Sequence, residues 1–253
     1  MPASMLTVLL PAYNEAAALP TLIPALHAAL LAVPHRILVV DDGSRDATAS
    51  IVTGLAATLP VILEPHGVNK GLGQAMATGF AWVAAHPVDA DDIVVALDAD
   101  NTHPATLIPA MLAKITGNVA DVVIASRYAP GGKEVGLAWY RTILSGGASW
   151  LLRLNFPIPG ARDYTCGFRA YRVTTLDAAL QRWGQEGFVS ERGFACMAEI
   201  LIKLHLNGAR IDEVGLVLRY DLKEGASKLP VMKTIRQYMG LIRRLKKIRP
   251  STP

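Results

Sequence analysis

Short apolar runs alternate along the first half of the chain with longer stretches in which apolar residues recur every three or four positions. The runs predict buried β-strands, and the stretches between them predict amphipathic helices. Strands that alternate with helices in this way build a mostly parallel sheet with helices on both faces. The predicted strands are residues 6–10, 37–40, 61–63, 93–97 and 121–125, and the predicted helices are a stretch ending near residue 33 and residues 47–59, 71–85 and 106–115.

The alternation changes after residue 127. Two segments that contain glycine and proline, residues 129–136 and 155–161, predict functional loops. No internal repeat or clear domain boundary is visible in the sequence, which therefore predicts a single α/β domain. The remaining predicted elements are helices over residues 138–154, 174–181, 191–207 and 230–248 and a strand over residues 211–218.

The composition predicts one sizeable hydrophobic core, because 51% of the 253 residues are hydrophobic and 18% are charged. No apolar run approaches the roughly 18–20 residues that cross a bilayer, and the first residues lack the pattern of a signal peptide. We therefore expect a soluble or peripheral protein. Cys166 and Cys196 lie among apolar or small residues, which favours reduced core thiols and a cytoplasmic location.

The net charge of +4 is distributed unevenly. Residues 225–253 contain eight Lys or Arg and no acid, so residues 1–224 carry 17 bases and 21 acids, a net charge of −4. A nucleic-acid-binding protein usually carries its positive charge on the folded domain, and no nucleic-acid-binding motif is visible. The basic tail therefore predicts an anionic membrane surface as partner and no nucleic acid.

The predicted last helix is basic and amphipathic. Its apolar stripe either docks on the protein's own core or lies in the headgroup layer of a membrane. We expect the first half of the helix to dock and the basic cluster of residues 243–249 to face the membrane. The stripe consists of Val231, Ile235, Met239, Ile242 and Leu245.

Two carboxylates, Asp98 and Asp100, directly follow the predicted strand 93–97. Residues i and i+2 of a strand share a face, and hard oxygen ligands suit Mg²⁺ or Mn²⁺. The pattern predicts a metal site open to a phosphate ligand. Alternatively, Asp100 or Thr102 caps a helix that starts at Pro104, and both interpretations can hold at once.

Acids also follow two earlier strands, at Glu15 and at Asp41 and Asp42. The carboxyl ends of parallel strands meet at one edge of the sheet, so we expect several carboxylates around one crevice. One of them can accept from a nucleotide base or ribose while two hold a metal that neutralises a diphosphate. His103 could join the metal ligands, but packing at the helix start is favoured.

Several segments, in this order and spacing, resemble family 2 glycosyltransferases of the GT-A fold, a Rossmann-like fold. Later segments resemble the polyprenyl-phosphate branch, to which dolichol-phosphate mannose synthases belong. The resemblance spans about residues 6–245. The first set of segments is 11–15, 39–44, 69–75 and 97–100, and the second set is 126–128, Arg141, Ser145, 163–169 and 225–228.

The resemblance implies roles for individual residues. A first group surrounds the donor: a loop around the base and ribose, an acid that reads the base, and a lysine beside the phosphates. Asp98 and Asp100 match the metal and diphosphate site. Pro11, Tyr13 and Glu15 belong to the loop around the base and ribose. Asp42 is the acid that reads the base, and Lys70 is the lysine beside the phosphates.

A second group matches the pocket for the acceptor phosphate and contains Arg127, Arg141 and Ser145, with Arg169 and Lys228 in later motifs. The resemblance thus implies a catalytic domain over residues 1–228, with a donor half over 1–127 and acceptor elements over 128–228, followed by the tail 229–253. The catalytic residues that it implies are Asp98, Asp100, Arg127 and Arg141. Thr102 stands where the family often has Gln, so the third metal ligand stays open. Cys166 stands where Ser is common, which is interpreted as a difference in packing.

A prenyl phosphate needs no general base, because a second pKa of about 6 makes it a dianionic nucleophile at neutral pH. Arginines that hold this phosphate and a metal that stabilises the departing nucleoside diphosphate are then sufficient. A hydroxyl acceptor would need a base, for which Asp163, Glu191 and Glu199 are candidates.

Two other classes remain as alternatives. In a haloacid-dehalogenase-type phosphatase, Asp98 would be the nucleophile, Asp100 the acid/base and Ser126 the second motif. That family needs a later acidic pair after a strand, whereas Asp212 and Glu213 precede one. An inactive nucleotide-sugar-binding subunit would not need both metal acids.

The sequence therefore predicts a cytoplasmic, metal-dependent, inverting glycosyltransferase at the membrane face. It would move a hexose from a nucleotide sugar of the GDP-mannose or UDP-glucose type to a lipid-linked phosphate. The sugar, the base and the oligomeric state are left open.

Overall fold

The computed structural model of the protein describes residues 4–136, 139–219 and 231–248, with the side chains of residues 139–145 and 231–233 left out. The strands are β1 Leu6–Ala12, β2 His35–Asp41, β3 Val61–Pro65, β4 Ile93–Ala96, β5 Val122–Ser126, β6 Lys133–Val135, β7 Arg169–Arg172, β8 Ile211–Gly215 and β9 Val217–Arg219. The helices are α1 Leu19–Ala29, α2 Thr48–Leu55, α3 Leu72–Ala85, α4 Ile108–Thr116, preceded by a 3₁₀ turn Ala105–Leu107, α5 Trp139–Asn155, α6 Val173–Trp183, α7 Gln185–Phe188, α8 Cys196–Leu206 and α9 Val231–Leu245.

The main sheet has seven strands in the order β3-β2-β1-β4-β7-β5-β8. Every neighbouring pair is parallel except the two that β7 makes, with β4 and with β5. Successive residues of β1 from Leu6 to Leu10 are all buried, so both faces of this strand are covered. The predicted single α/β domain with a mostly parallel sheet is confirmed.

A second, two-stranded parallel sheet joins β6 to β9, and two predictions were wrong there. The segment 129–136, predicted as a loop, contains β6, and the predicted strand 211–218 breaks at Leu216. At this corner the N–H of Leu216 donates to the carbonyl of Ser126 at 2.8 Å, and the N–H of Lys133 donates to the carbonyl of Leu216 at 2.8 Å. The chain therefore leaves the main sheet at Leu216 and pairs with β6.

Both cysteines are buried and form no disulfide, which confirms the prediction of reduced core thiols. Burial raises the pKa of the Cys166 thiol to about 12 and also raises the pKa of Cys196. Neither thiol is therefore a nucleophile at neutral pH.

The helix α9 docks on the protein along its described length. Its buried stripe is shifted from the predicted one, because Met239 is 41% exposed. The expected docking of the helix on the protein is therefore confirmed for its described part, and a position in the headgroup layer stays a prediction. Within the described ranges, no helix is long and apolar enough to cross a membrane. The side chains in the stripe are Thr234, Tyr238, Leu241, Ile242 and Leu245.

Candidate active site

The carboxyl ends of β1, β2 and β4 lie side by side, because these three strands are parallel neighbours in the sheet. The chain passes from β1 to β2 on one side, and β4 lies on the other side of β1. Ligands of open α/β sheets bind at such a reversal of strand order. The predicted gathering of the acids after these strands at one edge is confirmed.

The loops that follow β1 and β2 hold each other in place. Asn14 has a φ of 54°, and its side chain oxygen accepts the N–H of Arg45 at 2.8 Å. The N–H of Asn14 donates to the hydroxyl of Ser44 and that of Glu15 to the hydroxyl of Thr48, each at 2.9 Å. Pro11 lies within β1, and Tyr13 and Glu15 are partly exposed in the fixed loop that follows.

Asp42 is buried and binds the loop of residues 69–73, which we call the donor loop. Its carboxylate accepts the backbone N–H groups of Lys70 and Gly71, each at 2.8 Å. His66 Nδ1 donates to the same carboxylate at 2.7 Å, and His66 Nε2 lies 3.0 Å from the Thr78 hydroxyl. Asp42 thus fixes the backbone of the donor loop, and Lys70 is exposed there.

Sequence reasoning missed His66, which nonetheless carried a signal: it directly follows a strand at the same edge as the acids. Its ring orients the carboxylate of Asp42 from within the protein. That Asp42 also reads the donor base stays a prediction, since an ionised carboxylate has about four acceptor positions.

Asp98 and Asp100 lie in a turn beyond β4, which ends at Ala96, and both are partly exposed. Asn101 closes this turn with a φ of 61°. The hydroxyl of Thr102 donates to Asp100 Oδ1 at 2.6 Å, which orients that carboxylate.

The alternative in which Asp100 or Thr102 caps a helix was wrong. The following 3₁₀ turn has Pro104 at its cap position and no side-chain cap. His103 is buried, its Nδ1 accepts the N–H of Asp98 at 3.2 Å, and its ring centroid lies 5.1 Å from that of Phe168. The predicted packing role of His103 is confirmed.

The donor atoms beyond β4 fit a hard cation that keeps positions for water and phosphate. Mg²⁺ is usually bound by one or two carboxylates together with substrate phosphates. Among the described residues no group of three His, Cys, Asp or Glu side chains could hold a metal by itself. Asp98 and Asp100 therefore suit a cation that arrives with a diphosphate, and a closed structural metal site is not built there.

Gly167 leaves room for the side chain of Asp98, and the sequence alone did not identify this role. A Cβ atom at this position would lie 3.2 Å from Asp98 Oδ1 and 3.6 Å from Met197 Sδ. Because β7 is antiparallel to its neighbours, the segment 163–168 that precedes it reaches the same edge as the carboxyl ends of β4 and β5. This segment therefore lies between the acids beyond β4 and Arg127.

Arg127 forms a buried ionic network. Its Nε donates to Asp163 Oδ2 and its Nη2 to Asp163 Oδ1, both at 2.7 Å. Its Nη1 donates to Glu134 Oε1 at 3.0 Å, and Nη2 also donates to the Thr165 hydroxyl at 2.6 Å. The side chains of Arg127 and Asp163 are 8% and 0% exposed. Binding of an acceptor phosphate by Arg127 stays a prediction, and these contacts give it a structural role first.

The other predicted acceptor residues are described only in part. Arg141 and Ser145 belong to α5, but their side chains lie outside the described residues, as does all of Lys228. Arg169 is fully buried and donates to the carbonyls of Met197 at 2.6 Å and Tyr164 at 2.9 Å. Arg169 therefore ties β7 to α8 in the protein interior.

All three acids considered as a general base are buried in ionic contacts. Asp163 is paired with Arg127, Glu199 with Lys203 at 2.5 Å, and Glu191 with Arg244 at 2.6 Å. None of these carboxylates is presented to solvent as a base for a hydroxyl substrate.

The acidic pair considered for a phosphatase, Asp212 and Glu213, was wrongly expected to precede a strand: it lies inside β8, at the opposite edge of the sheet from β3. Asp212 binds Lys114, and Glu213 accepts the N–H groups of Arg162 at 2.6 Å and Asp163 at 2.8 Å. Two strands, β7 and β5, separate β8 from β4 and its two acids. This arrangement does not support the phosphatase alternative.

Residues 7–179 match the family model described as glycosyl transferase family 2. The chain is 33% identical over 243 residues to a dolichol-phosphate mannosyltransferase from Pyrococcus furiosus, a match that covers 95% of this chain and 63% of that enzyme. It therefore spans less than two thirds of that relative. It is also 31% identical over 230 residues to a polyprenol monophosphomannose synthase from Mycolicibacterium smegmatis, which covers 90% of this chain and 82% of the relative.

Among solved structures, the fold matches glucosyl-3-phosphoglycerate synthase from Mycobacterium tuberculosis with a TM-score of 0.67. The match covers 98% of this chain and 82% of that one at 20% sequence identity. That protein was crystallised with Mn²⁺, uridine diphosphate and glucosyl-3-phosphoglycerate. At this identity the likeness shows the predicted GT-A fold.

Proposed function

The chain belongs to glycosyl transferase family 2, and from this we propose that it transfers a hexose, with inversion, from a nucleotide sugar to a polyprenyl phosphate. The observation that carries the proposal is the turn beyond β4, where Asp98 and Asp100 stand partly exposed at the edge shared with the loops after β1 and β2. The two relatives are named for a dolichol phosphate and a polyprenol phosphate, and both names contain mannose, which favours mannose as the hexose.

On the donor side, each loop has a separate task. The loop with Pro11, Tyr13 and Glu15 is held by the loop after β2 and would enclose the base and ribose. Asp42 holds the donor loop, so that Lys70 would place its charge beside the phosphates. A divalent cation, Mg²⁺ or Mn²⁺, bound by Asp98 and Asp100 would neutralise the departing nucleoside diphosphate. The Mn²⁺ and uridine diphosphate of the matching solved structure support this assignment by analogy.

On the acceptor side, a phosphate fits the protein better than a hydroxyl. A hydroxyl must lose its proton to a base, and the three candidate bases are all buried in ion pairs. A prenyl phosphate is already a dianion at neutral pH and needs only cations that orient it. We assign this orientation to Arg141 and Ser145 on α5, with Lys228, and to Arg127 if it can leave Asp163.

The proposal is tested by a donor and acceptor screen. Thermal shift with Mn²⁺ and GDP-mannose, UDP-glucose or UDP-N-acetylglucosamine identifies the donor, and transfer of labelled sugar is then measured with undecaprenyl phosphate and with undecaprenol. We expect transfer to the phosphate and none to the alcohol. Equal transfer to the alcohol would contradict a phosphate acceptor, and release of phosphate from p-nitrophenyl phosphate without sugar transfer would contradict the transferase.

The exposed bases at the end of α9 and just after it are proposed to attach the protein to an anionic membrane surface, where a water-insoluble acceptor resides. Arg243, Lys246 and Lys247 are exposed, Arg244 is half-exposed and paired with Glu191, and Arg249 lies outside the described residues. Because Arg244 already has a carboxylate partner, the proposed attachment is assigned to Arg243, Lys246 and Lys247.

We expect the protein to sediment with vesicles that contain phosphatidylglycerol at low salt and to be released at high salt. Each surface base contributes about 1 kcal/mol, so replacing Arg243, Lys246 and Lys247 with Gln should weaken vesicle binding by roughly a hundredfold. Neutral phosphatidylcholine vesicles serve as the control. Unchanged sedimentation of the triple variant would mean that these bases are merely solvated.

A further inference from the structure

The turn of residues 191–193 lies directly against the donor loop. The N–H of Gly73 donates to the carbonyl of Arg192 at 3.0 Å. A Cβ atom at Gly73 would lie 1.7 Å from the carbonyl oxygen of Glu191, and one at Gly71 would lie 2.5 Å from that of Arg192. Gly71 also has a φ of +95°, which disfavours any other residue. The two glycines therefore let the backbone of this turn support the donor loop without an intervening side chain.

The helix α9 contacts the same turn at two points. The side-chain amide of Gln237 lies 3.0 Å from the Cβ position of Gly193, and Arg244 Nη2 donates to Glu191 Oε1 at 2.6 Å. Leu241, fully buried, stands between these residues on the helix. Positions i, i+4 and i+7 share one helix face, so a single face of α9 packs on the turn.

The pair of Arg244 and Glu191 differs from an ordinary surface ion pair. The side chain of Glu191 is 10% exposed, although that of Arg244 is 51% exposed. The backbone N–H of Glu191 donates to Glu199 Oε2 at 2.7 Å, and Arg244 Nη2 also lies 3.9 Å from Glu199 Oε1. Glu199 is in turn bound by Lys203. Loss of Arg244 would leave the mostly buried carboxylates of Glu191 and Glu199 with Lys203 as their one nearby cation. Their repulsion would favour a larger distance between them and thus a shift of the turn.

We propose that Arg244 and Glu191 are positioning residues for the donor: through the turn 191–193, α9 holds the donor loop at the place where Lys70 meets the donor phosphates. The expected effect on donor KM rests on the proposed function. The expected effect on the position of the donor loop rests on the contacts alone. Neither side chain touches the donor itself in this assignment. Their effect passes from the carboxylate of Glu191 to the backbone of the turn and from there to Gly71 and Gly73.

The test compares Arg244→Gln with Arg236→Gln, a matched control that removes the same charge from an exposed residue of the same helix to which no binding role is assigned. Hydrogen exchange of the peptides that cover residues 69–76 should become faster in Arg244→Gln and stay unchanged in the control. The KM for the donor identified in the screen should rise about three- to tenfold in Arg244→Gln, with kcat changed much less. Arg244→Lys, which keeps the charge, should restore most of both properties.

The double variant Glu191→Gln, Arg244→Gln should show a donor KM close to that of Arg244→Gln, because the two residues act as one pair. Equal exchange and equal KM in Arg244→Gln and Arg236→Gln would overturn the inference. A loss of kcat in Glu191→Gln without any effect of Arg244→Gln would also overturn it and would make Glu191 a general base. Hydrogen exchange needs no substrate, so failure of the proposed function to yield any transfer leaves this test intact.

Discussion

Replacement of Asp98 or Asp100 by Asn is expected to abolish sugar transfer while the protein stays folded. Both side chains are partly exposed in a turn beyond β4 and do not belong to the hydrophobic core. Asn keeps the shape of Asp but loses the charge that a divalent cation requires. Metal stabilisation of a leaving diphosphate is worth several kcal/mol, so the rate of transfer should fall by at least about a hundredfold. Initial rates of transfer and thermal unfolding curves of the same preparations measure the two effects.

Asp91→Asn is the matched control, because Asp91 lies just before β4, at the opposite end of the strand from Asp98. Its side chain is 75% exposed and pairs with Arg172 at 3.1 Å, so the change should leave transfer intact. Mn²⁺ with the nucleoside diphosphate should raise the unfolding temperature of the wild type and of Asp91→Asn, but not of Asp98→Asn. Full turnover by metal-stripped protein in excess EDTA would contradict the metal assignment.

Most of the sheet could be predicted because its strands are buried on both faces and are therefore visible in the sequence as continuous apolar runs. The strand β6 could not, since Lys133, Glu134 and Val135 form no apolar run and become a strand only by pairing with β9. The start of α8 was placed too early for a related reason. The carboxylate of Glu199 accepts the backbone N–H groups of Ser190 and Glu191 at 2.9 and 2.7 Å, which holds these residues outside the helix.

The acids of the candidate site could be predicted because their positions at strand ends follow from the order of elements. Their partners could not, because hydrogen bonds across the fold are invisible in local sequence. His66 reaches Asp42 across 24 positions, and Arg127 reaches Asp163 across 36. A motif therefore locates an arginine near a site, whereas only the fold shows whether its charge is already paired.

Arg127→Ala is expected to lower the free energy of unfolding by about 3–5 kcal/mol, which is the cost of breaking a buried ion pair by removal of one partner. The change leaves Asp163, with no exposed side-chain surface, and Glu134, 5% exposed, without their common cation. Arg127→Lys keeps a charge but cannot bond both carboxylate oxygens side by side, so its loss should be intermediate. Urea unfolding of the three proteins measures these differences, with Arg210→Ala, a base at the protein surface, as the control.

The pH dependence of unfolding separates this structural role from acceptor binding. Burial by itself raises the pKa of Asp163, but the charge and hydrogen bonds of Arg127 outweigh burial and lower the pKa below its ordinary value. The unfolded chain has the higher pKa, so the pair stabilises the protein above about pH 4, and this stabilisation is lost as the pH falls through the lower folded value. The difference in unfolding free energy between wild type and Asp163→Asn should therefore shrink on acidification, while other acids cancel in the comparison. If Arg127→Ala instead unfolds like the wild type at every pH and only raises the KM for the lipid phosphate, Arg127 leaves Asp163 in the working enzyme and its first task is to bind the acceptor.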